Sequence, residues 1–169
     1  CILECPEKLV KLLARSFPDI EVIPEDRRND ANRDDFDYHL PLGSLYRHII
    51  PNILKDTRPP AFLLPAPDRI EFWKKRLISL GEGPYVGVSW KSAYITPGRR
   101  PNYASIAEWS PIFTVPGVKF INLQYVDFLD DLADIENQFG VTVHNFDDLD
   151  HYNDLNDVAA LCAALDVVV

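Results

Sequence analysis

Three cations follow a predicted buried strand in the middle of the chain. The segment "YVGVSW", residues 85–90, has the apolar pattern of a strand, Lys91 follows it directly, and Arg99 and Arg100 lie in the next loop. A charged side chain at this position must reach water or an anion, because burying it unpaired is costly. Lysine and arginine form strong charge-assisted hydrogen bonds to phosphate oxygens. Two interpretations are open: the three side chains bind a phosphate-bearing ligand, or they are solvated.

Two uncharged polar residues are predicted to lie beside the cations. Ser92 follows Lys91, and Gln124 ends the next predicted strand, "VKFINLQ". Ligands of open parallel sheets bind outside the carboxyl ends of the strands. We therefore expect these residues and the Arg99–Arg100 loop to share one rim of a sheet. The amide of Gln124 has two possible partners there, a nucleobase or the loop backbone.

A second group of candidates surrounds a turn in the first third of the chain. His39 precedes the turn, and histidine is a residue type whose unperturbed pKa suits a general base on an acceptor hydroxyl; a structural histidine is the alternative. Ser44 is expected to cap a helix over residues 45–54, and such a helix N-terminus also suits an anion. The turn itself contributes Leu42, Gly43 and Ser44.

No metal site is predicted. The carboxylates between residues 147 and 157 are adjacent enough to suggest one, but runs of this kind usually form a solvated, helix-capping surface. The three cysteines, Cys1, Cys5 and Cys162, lack the spacing of metal ligands. We expect them to be free thiols in a reducing compartment, which favours a cytoplasmic location.

The elements that must position these residues alternate between strand and helix. From residue 83 onward, four predicted strands alternate with three helices through short connections, which indicates an α/β fold with a parallel sheet covered on both faces. Before residue 83 we predict strands at 1–5, 20–24 and 36–40, a helix opened by Pro6, and a mobile charged loop at 25–35. The predicted N-caps of the later helices are Asp68, Ser105 and Asp127.

Composition excludes two classes of partner. The formal net charge of −9 disfavours nucleic acid, and no apolar run is long enough to span a membrane. The chain contains no methionine and both begins and stops within apolar runs, so we expect it to be a piece of a longer protein. A half-built sheet exposes an unpaired edge, and we therefore expect self-association.

Five segments together resemble glycosyltransferases of the GT-B type. In order along the chain they are "HLPLGSLYRHI", "FLLPAPDRIEFWKKRL", "YVGVSWKS", "FINLQY" and "DLNDVAALCAALDVVV". The pattern is most similar to family 9, the heptosyltransferase group, and to the glycosyltransferase-like regions attached to tetratricopeptide repeats. In place of the "WKS" segment many relatives have a turn rich in Gly or Asn.

The resemblance implies two Rossmann-like domains, each truncated. Residues 1–66 resemble the end of the N-terminal domain, 67–82 the linking helix, and 83–169 the first half of the C-terminal domain that binds the nucleotide-sugar. The family's diphosphate-binding loop follows a strand like "DVVV", where this chain stops, so we expect the piece to be inactive alone.

The predicted function is transfer of a sugar from a nucleotide-diphosphate donor to a hydroxyl acceptor, a saccharide or a protein, without metal or cofactor. By the resemblance, Lys91, Ser92, Arg99, Arg100 and Gln124 bind the donor, His39 is the candidate catalytic base, and the turn 42–44 lies on the acceptor side. Without a metal, cations and helix N-termini must stabilise the departing diphosphate. The alternative is a non-catalytic protein-interaction module that retains the fold. Removing Lys91 is expected to weaken diphosphate binding and barely change stability.

Overall fold

The computed structural model of the protein describes residues 1–25, 35–53, 61–93 and 96–169. Most of the predicted charged loop at 25–35 lies outside these ranges. None of the helices in the described ranges is long and apolar enough to cross a lipid bilayer. The architecture is mixed α/β with two parallel sheets.

The first sheet contains two parallel strands, β1 (Ile2–Cys5) and β2 (Glu21–Pro24), joined by helix α1 (Glu7–Ser16). Pro6 immediately precedes α1, as predicted, because a proline at a helix start sacrifices no intrahelical hydrogen bond. Leu12 is the buried residue of α1. Both predicted strands of this part are confirmed.

Residues 36–40 form no strand, contrary to the prediction. Their alternating apolar side chains are exposed, with Tyr38 at 94%. A strand needs a neighbour to satisfy its backbone groups, and in the described structure this segment pairs with none. The next helix, α2 (Leu42–Ile53), begins three residues earlier than predicted, and Pro51 lies within it. Ser44 therefore lies in the first helical turn, where its N–H donates to the carbonyl of Pro41 at 2.8 Å.

The second sheet contains four parallel strands in the order β5-β4-β3-β6. These are β3 (Tyr85–Val88), β4 (Lys119–Asn122), β5 (Val143–His144) and β6 (Val167–Val168). Strand β6 lies at one edge, and its valines are about half exposed. This exposed edge is compatible with the expected self-association, which stays a prediction.

Helices cover both faces of this sheet, as predicted. They are α3 (Pro67–Ile78), α4 (Ser110–Phe113), α5 (Leu129–Phe139) and α6 (Leu155–Ala164). Neighbouring residues of β4 point to opposite faces: Ile121 packs with Trp73 and Leu161 on one, and Phe120 packs with Phe113 and Ile135 on the other. Because both faces are buried, the middle positions of the central strand β4 are the apolar residues Phe120 and Ile121.

The predicted helix caps are correct in one case and wrong in two. Ser105 begins a 3₁₀ turn over Ile106–Trp109 and forms a capping box with Glu108. Ala66 rather than Asp68 is the N-cap of α3, since Pro67 starts the helix with its fixed φ. Phe128 rather than Asp127 precedes α5.

The first sheet is attached to the second through polar contacts of α1. Lys8 Nζ donates to the carbonyl of Tyr152 at 3.0 Å and lies 4.0 Å from the centre of that ring. The Arg15 guanidinium donates to the carbonyl of Leu64 at 2.6 Å and to the side chain of Asn156. Helix α1 therefore packs beside α6.

Candidate functional site

The carboxyl ends of β3 and β4 are joined by the buried side chain of Gln124. Its Oε1 accepts hydrogen bonds from the backbone N–H groups of Trp90 and Lys91, both at 3.1 Å, and its Nε2 donates to the carbonyl of Lys91 at 2.8 Å. Gln124 has no exposed surface. Of its two possible partners, the structure shows the loop backbone, so Gln124 holds the Lys91 loop in position.

Asn122 extends this polar contact to the third strand and was not predicted from the sequence. Its Oδ1 accepts from the Gln124 N–H at 2.8 Å, and its Nδ2 donates to Asn145 Oδ1 at 2.9 Å. His151 Nε2 lies 3.0 Å from the Asn122 carbonyl. The available signal was the segment "FIN" within the predicted strand, in which two apolar residues are followed by an amide: a polar group inside a core requires partners.

Lys91 is the most constrained of the predicted cations. Its Nζ lies 2.5 Å from Asp131 Oδ2 and donates to the carbonyl of Asp127 at 2.6 Å. Only 18% of the Lys91 side chain is exposed. The other Asp131 contact is Trp90 Nε1, which donates to Oδ2 at 2.7 Å. Lys91 is therefore neither freely solvated nor fully available to a ligand.

The carbonyl that Lys91 contacts belongs to a strained residue. Asp127 has φ +43°, and no other non-glycine residue in the described ranges has a positive φ. An L-residue in this region costs about 1–2 kcal/mol. Backbone strain of this kind is retained where neighbouring contacts enforce it, often at functional sites. The Lys91 ammonium is one such contact.

A pocket of about 310 Å³ opens beside this ion pair. Its lining includes Trp90, Lys91, Arg100, Tyr103, Glu108 and Asp131. The hydroxyl of the lining residue Tyr103 lies 2.5 Å from the hydroxyl of Ser92, which is not itself a lining residue. The pocket therefore combines aromatic surface, a hydroxyl group and charges, and two of the predicted donor-binding residues, Lys91 and Arg100, line it.

The charges of this pocket differ in their availability. Glu108 accepts from the N–H and the hydroxyl of Ser105, and these two bonds lower its pKa. Arg100 is exposed, and its side chain has no hydrogen bond or ion pair to any described residue. Arg100 is therefore the cation that is free to meet a ligand, while Lys91 is shared with Asp131.

A second pocket, of about 250 Å³, lies at the ends of β4 and β5. Tyr125 and Tyr152 lie on it with their ring centres 6.0 Å apart. The acidic run beside it is engaged in protein contacts: Asp148 pairs with Arg76 at 2.6 Å, which lowers the pKa of Asp148, and Asp150 accepts from the N–H groups of Tyr152 and Asn153. Within the described ranges no cluster of three or more metal-ligating side chains occurs.

The candidates of the first third of the chain do not line the Lys91 pocket. His39 is exposed, with its ring centre 5.9 Å from that of Phe36. Leu42 is 70% exposed, Gly43 is exposed and Ser44 is half-buried in α2. No described lining residue of either pocket comes from residues 35–53, and Arg99 is exposed outside both. Neither pocket therefore brings Ser44 together with Lys91.

The cysteines are free thiols, as predicted. Cys5 is buried, Cys162 partly buried and Cys1 exposed. Burial raises the pKa of Cys5 and of Cys162, which keeps both in the thiol form. A raised pKa makes a cysteine a weak nucleophile at neutral pH, so neither residue suits nucleophilic catalysis.

Comparison with known proteins finds a bacterial relative. The chain is 36% identical over 173 aligned residues to Protein FlbA of Caulobacter vibrioides, strain ATCC 19089 / CIP 103742 / CB 15. The alignment covers 96% of this chain and 29% of FlbA, so the chain spans less than a third of that relative. No protein-family model and no solved structure matches the chain.

Proposed function

We propose that the chain is part of a glycosyltransferase of the GT-B type, with two Rossmann-like parts at residues 1–66 and 83–169 joined by the helix at 67–82. The observation that carries the proposal is the pocket at the carboxyl ends of parallel strands, where Lys91 and Arg100 face the same space. Such an edge is the usual ligand site of open α/β sheets. The extent of the FlbA alignment supports a longer parent protein.

The reaction requires stabilisation of a leaving diphosphate. An acceptor hydroxyl attacks the anomeric carbon, the bond from that carbon to the diphosphate oxygen breaks, and the electron pair stays on the diphosphate. The hydroxyl proton passes to a base; His39 is the candidate from the sequence, but it does not line the Lys91 pocket. Cations held at the leaving group lower the barrier because they stabilise charge as it develops.

Each residue of the rim has a proposed part in holding the donor. The Arg100 side chain supplies guanidinium N–H groups, and Lys91 supplies an ammonium group that also contacts Asp131 and the carbonyl of Asp127. The Ser92 and Tyr103 hydroxyls offer uncharged donors nearby. Gln124 acts as a positioning residue, since its amide bonds fix the backbone on both sides of Lys91.

Calorimetric titration tests this proposal. The chain is titrated with uridine, guanosine and adenosine diphosphates and with the three parent nucleosides. We expect at least one diphosphate to bind, and Lys91→Ala to weaken that binding about tenfold or more while leaving nucleoside binding unchanged. Lys75→Ala, on the exposed face of α3, is the matched control and should change neither. Equal weakening of nucleoside and diphosphate binding would contradict the proposed role of Lys91.

A non-catalytic interaction module is the second candidate, and one observation favours it. The Lys91 charge is already balanced by Asp131, so the pocket carries as many carboxylates as cations among its described lining residues. If no nucleoside diphosphate releases heat with the chain or with a longer polypeptide that contains it, this candidate replaces the first. The free thiols are compatible with a cytoplasmic location under either proposal.

A further inference from the structure

We infer that Asp131 is the internal counter-ion of Lys91 and competes with any anion that enters the pocket. The inference rests on the proposed function and concerns the regulation of its binding site. The two side chains meet at 2.5 Å, although Lys91 follows β3 and Asp131 lies in the first turn of α5. Both side chains line the pocket. A ligand phosphate at Lys91 therefore meets a cation that already has a carboxylate partner.

Counting donors shows where the competition arises. A lysine ammonium has three N–H donors. One is directed at the carbonyl of Asp127 at 2.6 Å, and the ammonium charge is paired with Asp131 Oδ2 at 2.5 Å. A phosphate that approaches the ammonium therefore meets the negative charge of Asp131 as well as the positive charge of Lys91. The closer a phosphate binds to Lys91, the more it must displace Asp131.

Asp131 retains other stabilising contacts when it leaves Lys91. The same carboxylate accepts from Trp90 Nε1 at 2.7 Å, and its position in the first turn of α5 places it near the positive end of the helix dipole. Because these two interactions persist, displacement does not leave an isolated buried charge. This arrangement makes the ion pair an exchangeable contact rather than a permanent one.

The test measures binding of inorganic pyrophosphate and inorganic phosphate to four forms of the chain: wild type, Asp131→Asn, Lys91→Gln and the double variant. Asn keeps an oxygen acceptor for Trp90 Nε1 and removes the charge. We expect Asp131→Asn to bind pyrophosphate about tenfold more tightly, the factor for one competing charge-assisted hydrogen bond. In the Lys91→Gln background the same substitution should have no effect, since the competition acts through Lys91.

Two further variants keep the test decisive. Asp131→Glu retains the charge and should bind pyrophosphate within about twofold of wild type, the range expected for a conservative change. Lys91→Arg has five N–H donors, enough for Asp131 and the ligand together, and should bind more tightly than wild type even if Asp131→Asn does not fold.

Several outcomes overturn the inference. They are pyrophosphate binding that Asp131→Asn does not tighten, equal tightening with and without Lys91, and no binding to any variant. The proposed function is judged separately by the nucleoside diphosphate titrations. Tightened pyrophosphate binding without any nucleoside diphosphate binding would support the counter-ion and overturn the glycosyltransferase proposal. Nucleoside diphosphate binding that Asp131→Asn leaves unchanged would support the glycosyltransferase proposal and overturn the counter-ion inference.

Discussion

Lys91 and Asp131 form an ion pair with Nζ and Oδ2 at 2.5 Å, and their side chains are only 18% and 22% exposed. The pair joins the end of β3 to the start of α5, and the same ammonium holds the carbonyl of the strained residue Asp127. Lys91 therefore has a structural role in addition to its proposed role in binding. The sequence-based expectation that its removal barely changes stability needs revision.

Lys91→Ala should lower the free energy of unfolding by about 1–3 kcal/mol, because it leaves a partly buried carboxylate and a turn carbonyl without their donor. Chemical denaturation of wild type and variant measures the difference. Lys75→Ala, which removes an exposed lysine from α3, should stay within about 0.5 kcal/mol of wild type. A loss as small as that of the control would show that the ion pair contributes nothing to folding.

Gly83→Ala should be among the most destabilising single changes. Gly83 has φ +144°, and a Cβ there would overlap the carbonyl oxygen of Gly117, a backbone atom that cannot rotate away. We expect a loss of about 3 kcal/mol or more from strain and overlap together.

Gly117→Ala is the matched control for this change. Gly117 also has a positive φ, of +76°, but its Cβ would enter open space, so strain alone should cost about 1 kcal/mol. Thermal unfolding compares the two variants. If both variants lose equal stability, the close approach of the Gly83 and Gly117 backbones is not the reason that residue 83 is glycine.

Asp157→Asn should weaken the contact between α3 and α6. The Asp157 side chain is 10% exposed, accepts two hydrogen bonds of 2.7 and 2.8 Å from Arg69, and accepts from Trp73 Nε1 at 3.1 Å. Arg69 is 35% exposed and regains water, so the loss comes from weaker charge-assisted hydrogen bonds at the buried carboxylate position, and we expect about 1.5–3 kcal/mol.

Asp148→Asn provides the exposed counterpart, and urea denaturation measures the stability of both variants. Asp148 also pairs with an arginine of α3, Arg76, but its side chain is 63% exposed. Solvent screening should limit its contribution to about 1 kcal/mol or less. Similar losses for both variants would show that burial of Asp157 does not determine its contribution.

Stability should fall in mildly acidic solution because of His144. Burial, and then the charge of Lys119, lower the pKa of this partly buried imidazole below its ordinary value of 6.5. The unfolded chain therefore takes up a proton more readily than the folded chain. The resulting stability is complete above about pH 6.5 and decreases as the pH falls toward the lower folded value.

His144→Gln should flatten the dependence of the unfolding free energy on pH between about pH 6.5 and 5, the window below the ordinary histidine pKa. His39→Gln, a change at an exposed histidine, should leave it unaltered. The carboxylates with lowered pKa values, such as Asp148, act only below about pH 4 and do not interfere. If the unfolding free energy of His144→Gln depends on pH as steeply as that of wild type, groups other than His144 cause the loss of stability in acid.

The sequence by itself determined the order of elements over residues 83–169 and the polar residues at the ends of their strands. The apolar run "YVGV" and the apolar pair Phe120–Ile121 predict strands of a covered sheet, because a parallel sheet with helices on both faces buries neighbouring side chains on opposite faces. Since parallel strands end at a common edge, the proximity of Lys91, Ser92 and Gln124 followed from the same pattern. Ser105 was recognisable as a cap because its partner Glu108 lies three residues away.

Only the tertiary structure decided which partners these polar groups have. The Asp131 contact joins residues 40 positions apart, and the Gln124 amide binds backbone 33 and 34 positions away, so no local pattern reveals either. Residues 36–40 show that a local pattern alone does not make a strand. Their apolar and polar residues alternate as in a strand, but a strand forms only where another strand can pair with it. Local spacing determines elements, whereas charge pairing and strand pairing depend on distant residues meeting in the folded chain.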